Sequence, residues 1–270
     1  MSDRPIPEYR VLLTVDVEDY SSRTDGEQRT LQSALGATID AAADAAELNR
    51  QEWLRQLGGD GVFAILPPGT DVTRLMDVFV RETDAALGAY NRRRAGETWS
   101  QMRLRMAVHA GPVHVDGATG WPGQHVVQPA RLRDSDPVRV ALRALPAADL
   151  AVIVSSEIYR DYITQGPGVP RPNEFRAVRV EVKKQAYVGY LYVPRFDVHR
   201  LDELTPYNVD DDEDADPGRS PEDAKPPAPG SGPRPEGVAG RDVIGSISNV
   251  VHDQGRIYQS GRDMRIGPEH

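Results

Sequence analysis

Residues 12–30 read LLTVDVEDYSSRTDGEQRT. Leu12, Leu13, Val15 and Val17 suit a buried strand, yet Asp16, Glu18 and Asp19 crowd its carboxyl end. A chain that needs only a turn there usually spends Gly, Asn or Pro. Two readings fit the acids. They are a solvated strand end, or they are oxygen ligands for a hard cation, which takes closely spaced carboxylates.

Outward from this strand, apolar and amphipathic runs alternate up to about residue 200. Leu31, Leu35 and Ile39 recur at helical spacing, as do Val72, Leu75, Met76, Phe79 and Leu87, which predicts two helices. Between them EWLRQLGGDGVFAILPP (52–68) reads as strand, glycine-rich turn and strand, a hairpin with Asp60 at its tip. MRLRMAVHAGPVHVDG (102–117) alternates Leu104, Met106 and Val108 with polar residues, the pattern of a half-buried strand. QHVVQPARLRDSDPVRVALRAL (124–145) reads as a helix that carries Pro129 near its first turn or kinks at it. LAVIVSSEIYRDYI (150–163) reads as strand then short helix, and FRAVRVEVKKQAYVGYLYVP (175–194) as a second hairpin. The expected fold class is α+β, a mostly antiparallel sheet covered by helices over residues 9–197.

Past residue 204 the composition changes. Residues 205–240 carry an acidic block and then dense proline, with almost nothing to bury, which predicts a disordered, self-repelling and partly stiff linker. Residues 241–266 turn β-branched again, with Val243, Ile244, Ile247, Val250, Val251, Ile257 and Tyr258 punctuated by glycines. That tail reads as a separate β-prone element.

Composition narrows the function classes. Of 270 residues 41 are acidic and 32 basic, a formal net charge of -9, which argues against nucleic acid as an electrostatic partner. Cysteine is absent, so disulfides and thiolate metal sites are excluded and a reducing compartment is expected. No apolar run approaches the roughly 18 residues a membrane span needs, and MSDRPIPEYR does not read as a signal peptide. The expectation is a cytoplasmic protein with no membrane partner.

Four stretches, VDVEDYS, GGDGVFAIL, RLRMAVHAGPV and PARL, follow the order and approximate spacing of one known family. GGD alone equally suggests diguanylate cyclases of the GGDEF type, but the combination resembles the class III nucleotidyl (adenylate and guanylate) cyclase homology domain over about residues 9–195. The resemblance implies a ferredoxin-like domain, a homodimer and a nucleoside triphosphate as ligand. It also implies Mg2+ or Mn2+ held by Asp16 and Asp60, with a backbone carbonyl from Val17. Within VVQPARL it implies a transition-state role for Arg131, while Val127 stands where the family has asparagine. Gln56 occupies the purine-reading position, its partner position falls near Thr119 or Gly120, and Lys183, with Lys184 as competitor, matches a phosphate-contacting lysine. His109 and His114 alternate on a strand without ligand spacing and carry no expected catalytic role. The metal half of the site is kept and the base and transition-state half eroded; one lost transition-state donor typically costs about 10²–10³ in rate.

The tail resembles the short amyloid signalling motifs of actinobacterial effectors and their NLR-type partners, in SNVVHDQGRIYQSGRDM. β-branched residues with Asn249, Gln254 and Gln259 suit cross-β stacking, and docking as a single strand on a sheet edge is the alternative. Three functional classes therefore stand side by side. They are a degenerate or weakly active cyclase-homology signalling effector clustered through its tail, an active cyclase using ATP or GTP, and a purely structural interaction module.

Overall fold

β1 (Glu8–Val17) lies at the heart of a seven-stranded sheet, in the order β2-β3-β1-β4-β5-β7-β6. The other strands are β2 (Leu54–Leu57), β3 (Gly61–Ile65), β4 (Leu104–Val113), β5 (Leu150–Ser155), β6 (Arg176–Val182) and β7 (Gln185–Tyr192). This computed structural model describes residues 6–117, 120–166, 168, 170–182 and 185–207. All of these elements belong to one compact unit. Among the described residues no helix is long and apolar enough to cross a membrane.

α1 (Asp25–Ala45) connects β1 to the β2–β3 hairpin and opens on a capping box between Thr24 and Glu27. α2 (Val72–Arg74), a π turn (Leu75–Phe79) and α3 (Val80–Arg93) then run as one helical stretch from β3 toward β4. The four strands so connected pair antiparallel in the order β2-β3-β1-β4, the split β-α-β arrangement of ferredoxin-like folds. From β4 the chain crosses through α4 (Gln124–Arg133) and α5 (Asp136–Ala144) into β5, which pairs parallel to β4. Parallel strands need such a crossover. α6 (Ser156–Ile158) and a second π turn (Tyr159–Ile163) precede the β6–β7 hairpin.

Helices cover both faces of the central strands. Leu13, Val15 and Val17 share a core with Leu31, Leu35 and Ile39 of α1 and with Phe79 and Leu87. On the opposite face Ala107, Ile153 and Leu191 pack with Leu132 of α4 and with Val138 and Leu142 of α5. The half-buried reading of residues 102–117 is therefore corrected. β4 is buried from Met106 through Gly111 on both faces, because a second helical layer covers the side that alternation assigned to water.

The single helix expected over residues 124–145 is two. Ser135 is extended (φ -69°, ψ 154°), and Pro137 follows at the start of α5. In a continuous helix the Pro137 ring would clash with the carbonyl of Arg133, so the chain turns there. The folded unit also runs past residue 197. Val198, Leu201 and Leu204 are buried in the second core, and Arg176 donates to the carbonyls of Val198, Leu201 and Leu204 at 3.1, 2.8 and 2.9 Å.

Candidate functional site

The carboxyl end of β1 and the tip of the β2–β3 hairpin meet. Asp16 stands opposite Gly61 in the strand register, and the Val17 amide donates to the Asp60 carbonyl at 2.9 Å. The turn is closed by the Gly58 amide on the Gly61 carbonyl at 2.9 Å. Gly61 is required by close approach. A Cβ there would lie within contact distance of the Val15 carbonyl and 3.1 Å from the Asp16 Cβ. Gln32 of α1 holds the tip from the other side, donating to the Gly59 carbonyl at 2.7 Å. Asp16, Val17 and Asp60 are thus brought together, by backbone contacts written into GGDG and the strand that precedes it.

The environment of the Asp16 carboxylate is cationic. Asp16 is buried, 3% exposed, and both its oxygens accept from Arg105 of β4, at 3.0 and 2.5 Å. The Arg133 Nε lies 3.5 Å from the same carboxylate, while its terminal nitrogens reach Thr14 and Asp134. Burial raises the Asp16 carboxyl above its ordinary value, and Arg133 and Arg105 pull it only part of the way back. Burial also works against the Arg133 charge, but Asp134 and Asp16 outweigh it and raise that group. A bidentate guanidinium is among the strong partners of a carboxylate; it takes one lone pair on each Asp16 oxygen and sets a positive charge beside the group a cation would need. Among the described residues no three His, Asp or Glu side chains are grouped to hold a metal. These donors do not fit a two-metal centre, so no step through a bound Mg2+ or Mn2+ follows from this geometry.

Beside Asp16 opens a cavity of about 640 Å³. Glu18, Asp19 and Asp60 line it together with Arg103, Arg105, Arg139 and Arg143. Arg103 pairs with Glu18 at 3.1 Å. None of these four arginines was singled out from sequence. Arg105 follows from register, since it faces Asp16 across β1 and β4, and Arg139 and Arg143 share a face of α5.

The other expected residues scatter. Gln56 sits on the exposed edge strand β2, opposite Phe63. Arg131 of α4 turns toward β7 and donates to the Tyr187 hydroxyl at 2.5 Å, its guanidinium 5.8 Å from that ring centre. Val127, in the asparagine position, is 46% exposed. Lys183, Lys184 and Thr119 lie outside the described residues, as do residues 208–270 with the acidic run and the tail. His109 is fully buried, its Nε2 2.9 Å from the Nδ1 of His125 and its own Nδ1 3.5 Å from Glu157. The His125 ring fills the space a side chain on Gly111 would need.

No family model matches the chain, and no curated protein matches it significantly. Solved structures with a similar course of chain are cyclase domains. The guanylyl cyclase Cya2 is 15% identical, with 70% of this chain and 94% of that one covered and a TM-score of 0.45. The adenylyl cyclase CyaB from P. aeruginosa is 15% identical over 70% and 97%, TM-score 0.46. A bacterial light-regulated adenylyl cyclase is 13% identical over 69% and 90%, TM-score 0.47. The residues of the site, not these scores, carry the functional reading.

Proposed function

We propose that this chain is a cyclase-homology signalling effector with an eroded catalytic apparatus, gathered or recruited through residues 241–266. The observation that carries the reading is the engagement of both Asp16 oxygens by Arg105, with Arg133 alongside. In the family the motifs resemble, that position binds the metals that activate the ribose hydroxyl. A guanidinium there neutralises the same charge without supplying Lewis acidity. Val127 in the asparagine position and the capture of Arg131 by Tyr187 favour the same conclusion. The tail would raise the local concentration of the domain and promote pairing of copies, or dock on an NLR-type or other partner that shares its motif.

An active enzyme that makes a cyclic nucleotide from ATP or GTP is the second reading. It is favoured by Asp60, whose side chain has no hydrogen bond or ion pair among the described residues and faces the cavity. Incubation with Mn2+ or Mg2+ and each nucleoside triphosphate, with products followed by mass spectrometry, separates the two. No cyclic product above the enzyme-free blank is expected. Product that grows in proportion to protein would favour the second reading.

A further inference from the structure

A second cavity, of about 430 Å³, is lined by α3, by the π turn before it and by the chain on either side of the β6–β7 hairpin. It shares no lining residue with the cavity beside Asp16. Met76, Val80, Pro170 and Pro194 give it an apolar, buried lining. Four of its five charged side chains are already matched. Arg195 donates to both oxygens of the buried Asp84 at 2.7 and 3.0 Å, and to Asp149 at 3.3 Å. Arg81 donates to Asp77 at 2.9 Å. Arg92 is the fifth; it is exposed and has no hydrogen bond or ion pair among the described residues. A Cβ on Gly88, one turn earlier, would lie 3.1 Å from the Arg92 Nη1, so that guanidinium lies back along α3 beside bare backbone. Glycine inside a helix costs about 0.5–1 kcal/mol relative to alanine, and here it leaves the space the guanidinium uses. Tyr192 also lines the cavity, and its hydroxyl has no hydrogen bond among the described residues. Burial, with Glu174, Asp84 and Asp77 nearby, pushes Tyr192 up to about 12, so the hydroxyl keeps its proton.

We propose that this cavity is a binding site for a small amphipathic monocarboxylate, its carboxylate on the Arg92 guanidinium and its hydrocarbon body against Met76, Val80 and Pro194. A guanidinium fork matches two carboxylate oxygens in geometry and charge. The protonated Tyr192 hydroxyl is the one other uncommitted donor in the lining. One open cation balances one negative charge. A phosphate dianion brings a second charge toward Asp77 and Asp84 with no second free cation to meet it, and a neutral molecule leaves Arg92 unmatched. An apolar lining with few polar groups is the usual make-up of a small-ligand site, and 430 Å³ lies within the usual range of about 300–1,000 Å³. The site takes nothing from the cyclase-homology reading.

Calorimetric titration of the full chain in EDTA with 1-naphthoate, 1-naphthalenemethanol and 1-naphthyl phosphate tests this. At about pH 8 the same aromatic body then carries one charge, none or two. Naphthoate is expected to bind at least about tenfold more tightly than the alcohol, and more tightly than the phosphate. Arg92→Gln should erase that advantage, weakening naphthoate at least about tenfold and leaving the alcohol unchanged. Tyr192→Phe should weaken naphthoate severalfold. Ala85→Trp, at an exposed position in the lining, should block naphthoate and alcohol alike by filling the cavity. Arg92 and Ala85 are both on the surface of α3, and circular dichroism and thermal melting would verify an unchanged fold. Equal affinity for carboxylate and alcohol overturns the proposal, as does tighter binding of the phosphate. Naphthoate binding that is unweakened by Arg92→Gln, or absent altogether, overturns it too. Each of these results leaves the eroded-cyclase reading intact, since that reading is judged on cyclic product.

Discussion

Arg105 donates to both carboxylate oxygens of Asp16 across the β1–β4 pairing, two residues 89 apart in sequence that the register sets side by side. Removing one partner of a buried pair leaves an uncompensated charge, which typically costs about 3–5 kcal/mol. Arg105→Met should therefore cost about 3 kcal/mol in denaturant unfolding, at the low end because Arg133 remains beside Asp16. Adding Asp16→Asn should recover most of that loss. A single variant as stable as the parent would show that the pair is not formed in solution.

Gly61→Ala tests how closely the hairpin tip approaches β1. The added Cβ meets backbone at Val15 and Asp16, which cannot swing aside as a side chain could. A loss of about 1–3 kcal/mol is expected, the usual range for forced overpacking. Gly26→Ala, where a Cβ meets nothing within 4 Å, is the control and should not destabilise.

The hairpin and the strand end were readable because both signals are local: alternation, a glycine-flanked Asp60, and acids following Val17. The arginines were not, because RLRM looks like any strand with a polar face, and nothing local says that its second arginine faces Asp16. The break between α4 and α5 is marked in the sequence by Ser135 and Pro137, but Pro129 is an equally plain signal and α4 keeps it in its interior. Burial of β4 on both faces needed knowledge of a second helical layer, and the small Ala107 and Gly111 were the only hint of it.

The folded unit should extend to about residue 205. Limited proteolysis is expected to leave a core that retains Leu204, read by mass spectrometry of the stable fragment. Leu204→Ala should cost about 2–4 kcal/mol, as buried leucines do, and a chain ending at residue 197 should be less stable than one ending at 207. Equal stability of the two would place the boundary before Val198.

Acid should weaken the fold in two steps, one through His125 and one through Glu157. Burial lowers the His125 value below its ordinary 6.5, with His109 adding to it, so the unfolded chain binds the extra proton and stability falls as pH drops below 6.5. Burial opposes the charge on Glu157, but contacts with His109 and Ser155 hold that carboxyl at about 2 against an ordinary 4.5. Its contribution is full above 4.5 and is lost as pH falls toward 2. Thermal melts from pH 7 to pH 2 should show both phases, and Glu157→Gln should flatten only the lower. A melt profile unchanged by Glu157→Gln would contradict the assignment.

A peptide of residues 241–266 should form β-rich assemblies with the cross-β spacing of about 4.7 Å, and proline at Val250 and Val251 should block them. The same double substitution in the full chain should leave the melting of the folded unit unchanged. A peptide that stays monomeric at high concentration would leave single-strand docking as the tail's role.

The occupation of Asp16 by arginine is tested most directly by Mn2+ binding to the nucleotide-free protein, followed by loss of the free-ion signal in electron paramagnetic resonance. The signal should be the same with the parent and with Asp60→Ala across the titration. A stoichiometric loss with the parent that disappears with Asp60→Ala would contradict the account, since Asp16 and Asp60 would then hold a metal despite Arg105.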